Sequence, residues 1–292
     1  MKVFAIIVAY NPKIYQLINL CNQLENSGLS VVLVENTEQN SLKETITLTN
    51  TFVIELNSNQ GIARAQNIGI NYAVTNGADI IVFFDQDSTI KEDFISNLLS
   101  PIVDGSPMVV APVFYDEQQG FEYPSFKFNR FNLLDKVYSE NRLAPYEVDV
   151  IISSGSAATK AVFLKVGLMD EDFFIDFVDI EWTIRCKKND VPIYIVPQAT
   201  MIHAIGEKSI NLGVIRGFIH SSLRSYYKLR NPFLLLRKAH VPTNLALKEI
   251  LAAMVHQFVF MFYVANKLEY FRSYIIAIRD GLKGKKGKKA NL

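Results

Sequence analysis

The chain has 292 residues, 49% apolar and 20% charged, which is enough to bury a substantial core as one large domain or one domain with an extension. Its two cysteines, Cys21 and Cys186, form no CxxC pair and no metal-ligand spacing, so a disulfide framework is excluded and a reducing compartment fits. The net charge of +1 hides an asymmetry: residues 1–210 carry 15 Lys/Arg and 26 Asp/Glu, a net of −11, whereas 211–292 carry 15 and 3, a net of +12.

In chain order, MKVFAIIVAYNP has too short an apolar run for an export signal and predicts a buried strand over 3–10. IYQLINLCNQLENSG (14–28) has helical spacing and a glycine stop, and VVLVEN (31–36) is a second strand. A short helix at LKETITL, a strand at 52–57, a helix at 61–77 and a strand at 79–87 follow. DFISNLLSPIV is a helix and 108–115 another strand. This alternation predicts an α/β fold, a mostly parallel sheet flanked by helices. Ligands of such sheets lie outside the carboxyl ends of the strands, and four polar clusters sit at those ends: AYNP, ENTE, NSNQG and FFDQDS.

Residues 116–150 read as an aromatic-rich insertion with a short hairpin. A strand, small-residue turn and helix are expected over 148–167, a helix within 173–190, and two short strands over 192–206. Beyond about residue 210 the sequence turns basic and amphipathic, giving two expected units, 1–210 and a helical region at 211–292. Residues 250–266 hold no charge for 17 positions, short of the ~20 that span a bilayer. They are expected to pack on the core, join a homodimer or lie in a membrane interface. The last stretch, RDGLKGKKGKKANL, reads either as a solvated tail or as an anchor worth about 1 kcal/mol per lysine at an anionic surface.

Asp85 and Asp87 end an apolar strand one residue apart, so they point the same way. Such a pair suits a hard divalent cation shared with phosphate oxygens; a capped surface turn is the plain alternative. Asp176, Asp179 and Glu181 stand among Phe, Ile, Val and Trp. There, poor hydration raises proton affinity and suits a general base, although acids also cap helices and Glu181 can pair with Arg185 at i,i+4. His203 follows a strand.

Taken together, VAYNP, VENTE, NQGIARAQNIGI, FFDQDS, SSGSA, VDIEW and the late histidine resemble an inverting family two glycosyltransferase of the GT-A fold. Within that family the chain is similar to bacterial rhamnosyltransferases that use dTDP-L-rhamnose, over essentially its whole length. The resemblance implies a nucleotide sugar against Ala9, Tyr10, Asn11, Glu35, Arg64, Asn67, Asp85 and Gln86. It further implies Mg²⁺ or Mn²⁺ on Asp87 and His203, an acceptor side at Ser154, Gly155 and Trp182, and Asp179 as catalytic base supported by Asp176 and Glu181. The sequence departs from the usual pattern at Glu35, where aspartate is common, and at Val178-Asp179, where Glu-Asp is common. The implied partner is a lipid-linked glycan in surface polysaccharide synthesis, met by a peripheral enzyme at the cytoplasmic face of the inner membrane. A UDP-hexose donor or a non-catalytic relative are the alternatives. Nucleic acid is not expected, because the acidic first unit repels phosphate backbones.

Overall fold

A computed structural model describes residues 1–38, 42–116, 120–203, 209–211, 216–218 and 220–289, without the side chains of 203, 209–211 and 216–218. The first half runs β1 (Val3–Ala9), α1 (Ile14–Asn26), β2 (Ser30–Glu35), α2 (Leu42–Thr45), β3 (Thr51–Glu55), α3 (Ile62–Thr75), β4 (Ile80–Asp85), α4 (Phe94–Leu99) and β5 (Val109–Asp116). After it come β6 (Glu122–Tyr123), β7 (Ser125–Phe128), β8 (Leu134–Val137), β9 (Tyr146–Val148), β10 (Ala157–Thr159), α5 (Lys160–Val166), a 3₁₀ turn (Glu171–Phe173), α6 (Val178–Lys188) and β11 (Ile193–His203). Then follow β12 (Ser209–Asn211), β13 (Arg216–Phe218), α7 (Ser222–Leu235), α8 (Thr243–Phe260) and α9 (Lys267–Leu282).

The main sheet has the order β3-β2-β1-β4-β10-β5-β11-β9, with β6 on β5. Strands β1 to β4 are parallel. The order reverses beside β1, and the crevice outside the ends of β1 and β4 is therefore the ligand position of such a sheet. Both faces are covered, which is why β1 and β4 read as unbroken apolar runs. Phe4 and Ile6 face one core with α3, α5 and α6, while Ala5 and Ile7 face another with α1 and α4.

Two expectations are corrected. Of the segment expected as two strands over 192–206, residues 204–206 lie outside the described residues and the rest forms one strand, β11, whose register on β5 skips between Val196 and Thr200. Pro197 interrupts the ladder there, and the bulge lets pairing resume. The strand, turn and helix expected over 148–167 gain a second strand: β9 comes before the turn as an antiparallel edge on β11, and β10 comes after it, antiparallel between β4 and β5 and leading into α5. The turn between them is the SSGSA segment.

Helices α7, α8 and α9 pack on one another, and Tyr226, Tyr227, Leu229, Phe233 and Ala277 form a further cluster with Phe174. The lysine-rich end is not loose over 283–289. Lys285 pairs with Asp280 at 3.1 Å, Lys286 with Asp172 at 2.9 Å and Lys288 with Glu38 at 3.8 Å, while Lys289 Nζ donates to Ser273 at 3.1 Å. Among the described residues, no helix is long and apolar enough to cross a membrane.

Candidate active site

The donor-side edge is built from loops that follow β1, β2, β3 and β4. After β1, Tyr10 and Asn11 are exposed, and Asn11 takes a positive φ of 47° that asparagine tolerates better than most residues. The Tyr10 N–H donates to Gln86 Oε1 at 2.7 Å and Gln86 Nε2 donates to the Tyr10 carbonyl at 3.2 Å, so Gln86 clasps the two loops. After β2, Asn36 Oδ1 accepts from the Gln60 N–H at 2.7 Å, and the Asn11 N–H donates to Thr37 Oγ1 at 3.0 Å. Arg64 is exposed on the first turn of α3. The edge is thus fixed by side chains that satisfy neighbouring backbone, leaving Tyr10, Asn11 and Arg64 open to a ligand.

Glu35 behaves differently from an open base contact. It is buried, its Oε2 accepts from the Leu42 N–H at 2.9 Å, and Oε1 has no partner among the described residues. Burial first, and the Glu55 carboxylate less so, push its proton affinity up.

Asp85 is partly buried and its N–H faces Ser154 Oγ at 3.3 Å. Asp87, two residues on, is exposed and has no hydrogen bond or ion pair among the described residues. Thr89 bridges Ile202, which brings the end of β11, and hence the backbone of His203, beside the Asp87 loop. The His203 side chain lies outside the described residues.

The acceptor-side turn is close-packed. Gly155 has φ +65°, its N–H donates to the Phe83 carbonyl at 2.6 Å, and a Cβ there would stand 2.2 Å from Met201 Sδ. Only glycine fits. Ser154 is buried with its hydroxyl near Ser88 Oγ, 3.4 Å away. The turn also reaches α6: the Ser153 N–H donates to Asp179 Oδ2 at 3.3 Å, while Ile180 N–H donates to Oδ1 at 2.9 Å. Asp179 is thereby joined to the same turn that touches Asp85 and Ser88. Its pKa is pushed up to about 6, chiefly by burial, with the Asp176 charge adding to the rise and the backbone donors opposing it. Such a carboxylate is ionised at neutral pH yet basic enough to take a proton.

Beside it lies a largely apolar cavity of about 400 Å³, lined by Phe126, Tyr146, Ile152, Phe177, Ile180 and Glu249 among others. None of the donor-edge residues lines it. Ile152 and Ile180 flank the Ser153–Asp179 contact, so the cavity lies against that contact.

Residues 4–167 match the Glycosyl transferase family 2 profile, more than half of the chain. The chain belongs to that family. Over 284 residues it is 39% identical to the dTDP-rhamnosyl transferase RfbF of Shigella flexneri, covering 97% of this chain and 96% of that protein. It is 23% identical over 211 residues to the low-salt glycan biosynthesis hexosyltransferase Agl10 of Haloferax volcanii, covering 70% of this chain and 66% of the relative. Among solved structures, S. aureus TarS 1–349 in complex with UDP-GlcNAc superposes with a TM-score of 0.59 at 16% identity, over 98% of this chain and 82% of TarS. GalNAc-T7 with UDP, GalNAc and Mn²⁺ gives 0.59 at 15%, over 80% of this chain and 51% of the other. These two likenesses establish the shared fold.

Within this family 2 glycosyltransferase, some expected site residues point elsewhere. Asn67 is buried and clips α3 to the following loop: its amide donates to the Met169 carbonyl and to Glu171, each at 2.9 Å, and accepts from the Met169 N–H at 2.9 Å. Glu181 is buried with both oxygens on Arg185 at 2.8 Å, and His240 lies 2.7 Å away. Trp182 stacks on Phe163 and donates to the Gly167 carbonyl at 3.0 Å. All three face the core rather than the loop cluster. Asp176 is within 3.5 Å of Arg224 and 3.7 Å of Lys228. Asn36, Asn59 and Gln60, which tie the β2 and β3 loops together, were visible only as polar positions in ENTE and NSNQG; their amide-to-backbone pairing carries no local sequence signal.

Proposed function

We propose that the enzyme transfers L-rhamnose from dTDP-β-L-rhamnose to a hydroxyl of a growing glycan, with inversion. The observation that carries this is Asp179: a carboxylate with a raised pKa, hydrogen-bonded to the turn that also touches the Asp85 loop, and flanked by an apolar cavity. The donor assignment is supported by the 39% relative, which is named for dTDP-rhamnosyl transfer. Tyr10, Asn11 and Arg64 hold the nucleotide at the edge of the sheet. Asp85 closes the ribose side, and the buried Glu35 holds the Leu42 backbone behind the base rather than contacting it. Asp179 takes the acceptor proton while the oxygen attacks the anomeric carbon from the face opposite the nucleotide, so a β-linked donor gives an α-rhamnoside. Ser154 and Gly155 shape the acceptor turn, and the cavity receives the apolar face of the acceptor.

Asp87 and His203 would hold Mg²⁺ or Mn²⁺. The exposed, unengaged Asp87 carboxylate and the nearby strand end fit such a cation. No described cluster of three or more ligating residues surrounds the position, so diphosphate and water oxygens would complete the shell. Held there, such a cation would supply Lewis-acid stabilisation of the departing nucleotide.

The donor reading is tested by calorimetric titration of dTDP and UDP with and without Mn²⁺. Tighter binding of dTDP is expected; preference for UDP would keep the family and overturn the donor.

The acceptor is proposed to be lipid-linked and met at an anionic membrane surface. Leu247, Leu251, Val255 and Phe258 on α8 and Phe262 in the turn after it recur at helical spacing and are 45–64% exposed, and Leu268, Phe271 and Ile275 continue the pattern on α9. The exposed Arg272 and Arg279 stand on α9 beside this apolar stripe, the composition of an interfacial surface. Flotation with phosphatidylglycerol vesicles should capture the protein. Phe258→Glu should weaken capture by about 10-fold or more, the transfer energy of one buried aromatic ring. A concentration-dependent dimer that ignores vesicles, and that Phe258→Glu dissociates, would assign the stripe to a homodimer instead.

A further inference from the structure

The segment that delivers Asp179 to the site has an unusual backbone. Phe174, Asp176 and Phe177 adopt positive φ angles of 64°, 61° and 66°. None is glycine, and bulky side chains in this region are strained unless their surroundings enforce it. On one side the enforcement comes from α3: the Ile62 N–H donates to the Phe174 carbonyl at 2.7 Å, and Gly61 has no room for a Cβ, which would stand 2.6 Å from the Phe174 ring. On the other side it comes from α7, far along the chain. Asn231 is fully buried there, and the two protons on its Nδ2 are shared among the carbonyls of Phe173 at 3.0 Å, Ile175 at 2.7 Å and Asp176 at 2.8 Å. Its Oδ1 has no partner among the described residues. A buried orphan oxygen costs stability, so this side chain is explained by what its amide nitrogen holds. Arg230, also fully buried, adds contacts to the carbonyls of Phe173 at 3.4 Å, Lys285 at 2.7 Å and Gly287 at 3.1 Å.

We infer that Asn231 is a positioning residue for transfer: by gathering the carbonyls of Phe173, Ile175 and Asp176 it keeps the left-handed loop wound and sets the Asp179 carboxylate against the Ser153 turn. This rests on the reading of Asp179 as the base. Without Asn231 the Ile175 and Asp176 carbonyls lose this donor, while the Phe173 carbonyl keeps the Ile175 N–H and Arg230; the loop then relaxes toward negative φ, and α6 begins elsewhere. The charges facing Asp179 are the Asp176 carboxylate and, beyond it, Arg224 and Lys228 of α7, and none of them is altered by changing Asn231.

The test uses the full chain with Asn231→Ala and Asn231→Ser, dTDP-rhamnose as donor and dTDP as binding probe. Asn231→Ala is expected to lower kcat on the order of 100-fold, the cost of a misplaced catalytic group, while dTDP affinity stays within about two-fold. Asn231→Ser, which keeps one donor, is expected to lose less. The acid limb of the kcat profile should move to lower pH as Asp179 becomes hydrated. If Asn231→Ala does not fold, Asn231→Ser decides on the same criteria. Wild-type kcat with an unmoved acid limb overturns the inference, as does a loss of kcat matched by an equal loss of dTDP binding. Transfer retained in Asp179→Asn would instead overturn the base assignment.

Discussion

Asp179→Asn is expected to lower kcat by about 10²–10⁴, the usual worth of a positioned general base, with dTDP binding intact. The amide keeps the shape and its one oxygen can still accept from the Ser153 N–H, at the cost of the Ile180 N–H contact that Oδ1 accepts, so the side chain stays in place while the proton acceptor is lost. In the wild type, kcat should rise with pH through about 6, where the buried carboxylate ionises. The same residue makes a stability prediction of opposite sense. Its folded pKa lies above the usual aspartate value of 3.8, so it favours the folded state when protonated, and that contribution is lost as pH rises through about 6. Above this window the ionised, poorly solvated carboxylate costs up to about 3 kcal/mol, two pKa units' worth, less whatever solvent reaches its open side. Asp179→Asn should therefore melt higher than wild type at pH 7.5, with the gap closing toward pH 4. A variant inactive and less stable at every pH would instead mark Asp179 as a structural residue.

Asp87→Ala is expected to abolish the part of nucleotide binding that depends on Mn²⁺ and to lower transfer on the order of 10³-fold, the several kcal/mol that a cation contributes at a departing diphosphate. Because Asp87 is exposed and unengaged among the described residues, the melting temperature should hardly change. Calorimetric titration of dTDP with and without Mn²⁺, run on both proteins, reads this directly. Equal binding with and without the cation in the wild type would remove Asp87 from the metal role.

The parts of this architecture written locally were legible. Parallel strands buried on both faces are apolar runs, and the loops at their ends are polar clusters, so β1 to β5 and the donor edge followed from patterning alone. What depended on distant partners was not. Two short strands were expected over 192–206, yet the chain resumes pairing across the bulge at Pro197 because β5 continues beneath it. Glu181 and Trp182 stand two and three residues after Asp179 on α6, and helical geometry turns them toward Arg185 and Phe163, away from the site. Asn67 sits in a motif associated with the donor, but the bare backbone of Met169 claims its amide. Asn231 and Arg230 looked like ordinary polar positions of a basic helix, and nothing local announces that they satisfy carbonyls more than 50 residues earlier.

The seating of residues 283–289 has a consequence for how the protein is made. Gly287 N–H donates to the Asp172 carbonyl at 2.7 Å, and the carbonyls of Lys285 and Gly287 complete the shell of Arg230. The sheet and its donor edge can assemble while the chain is still emerging from the ribosome. The loop ahead of Asp179 waits for partners roughly 110 residues downstream, about 5–20 s later at ordinary elongation rates. Nascent chains thus complete the sheet edge before the loop ahead of Asp179 gains all its partners, and a chain halted in α9 lacks the Lys285 and Gly287 carbonyls around Arg230.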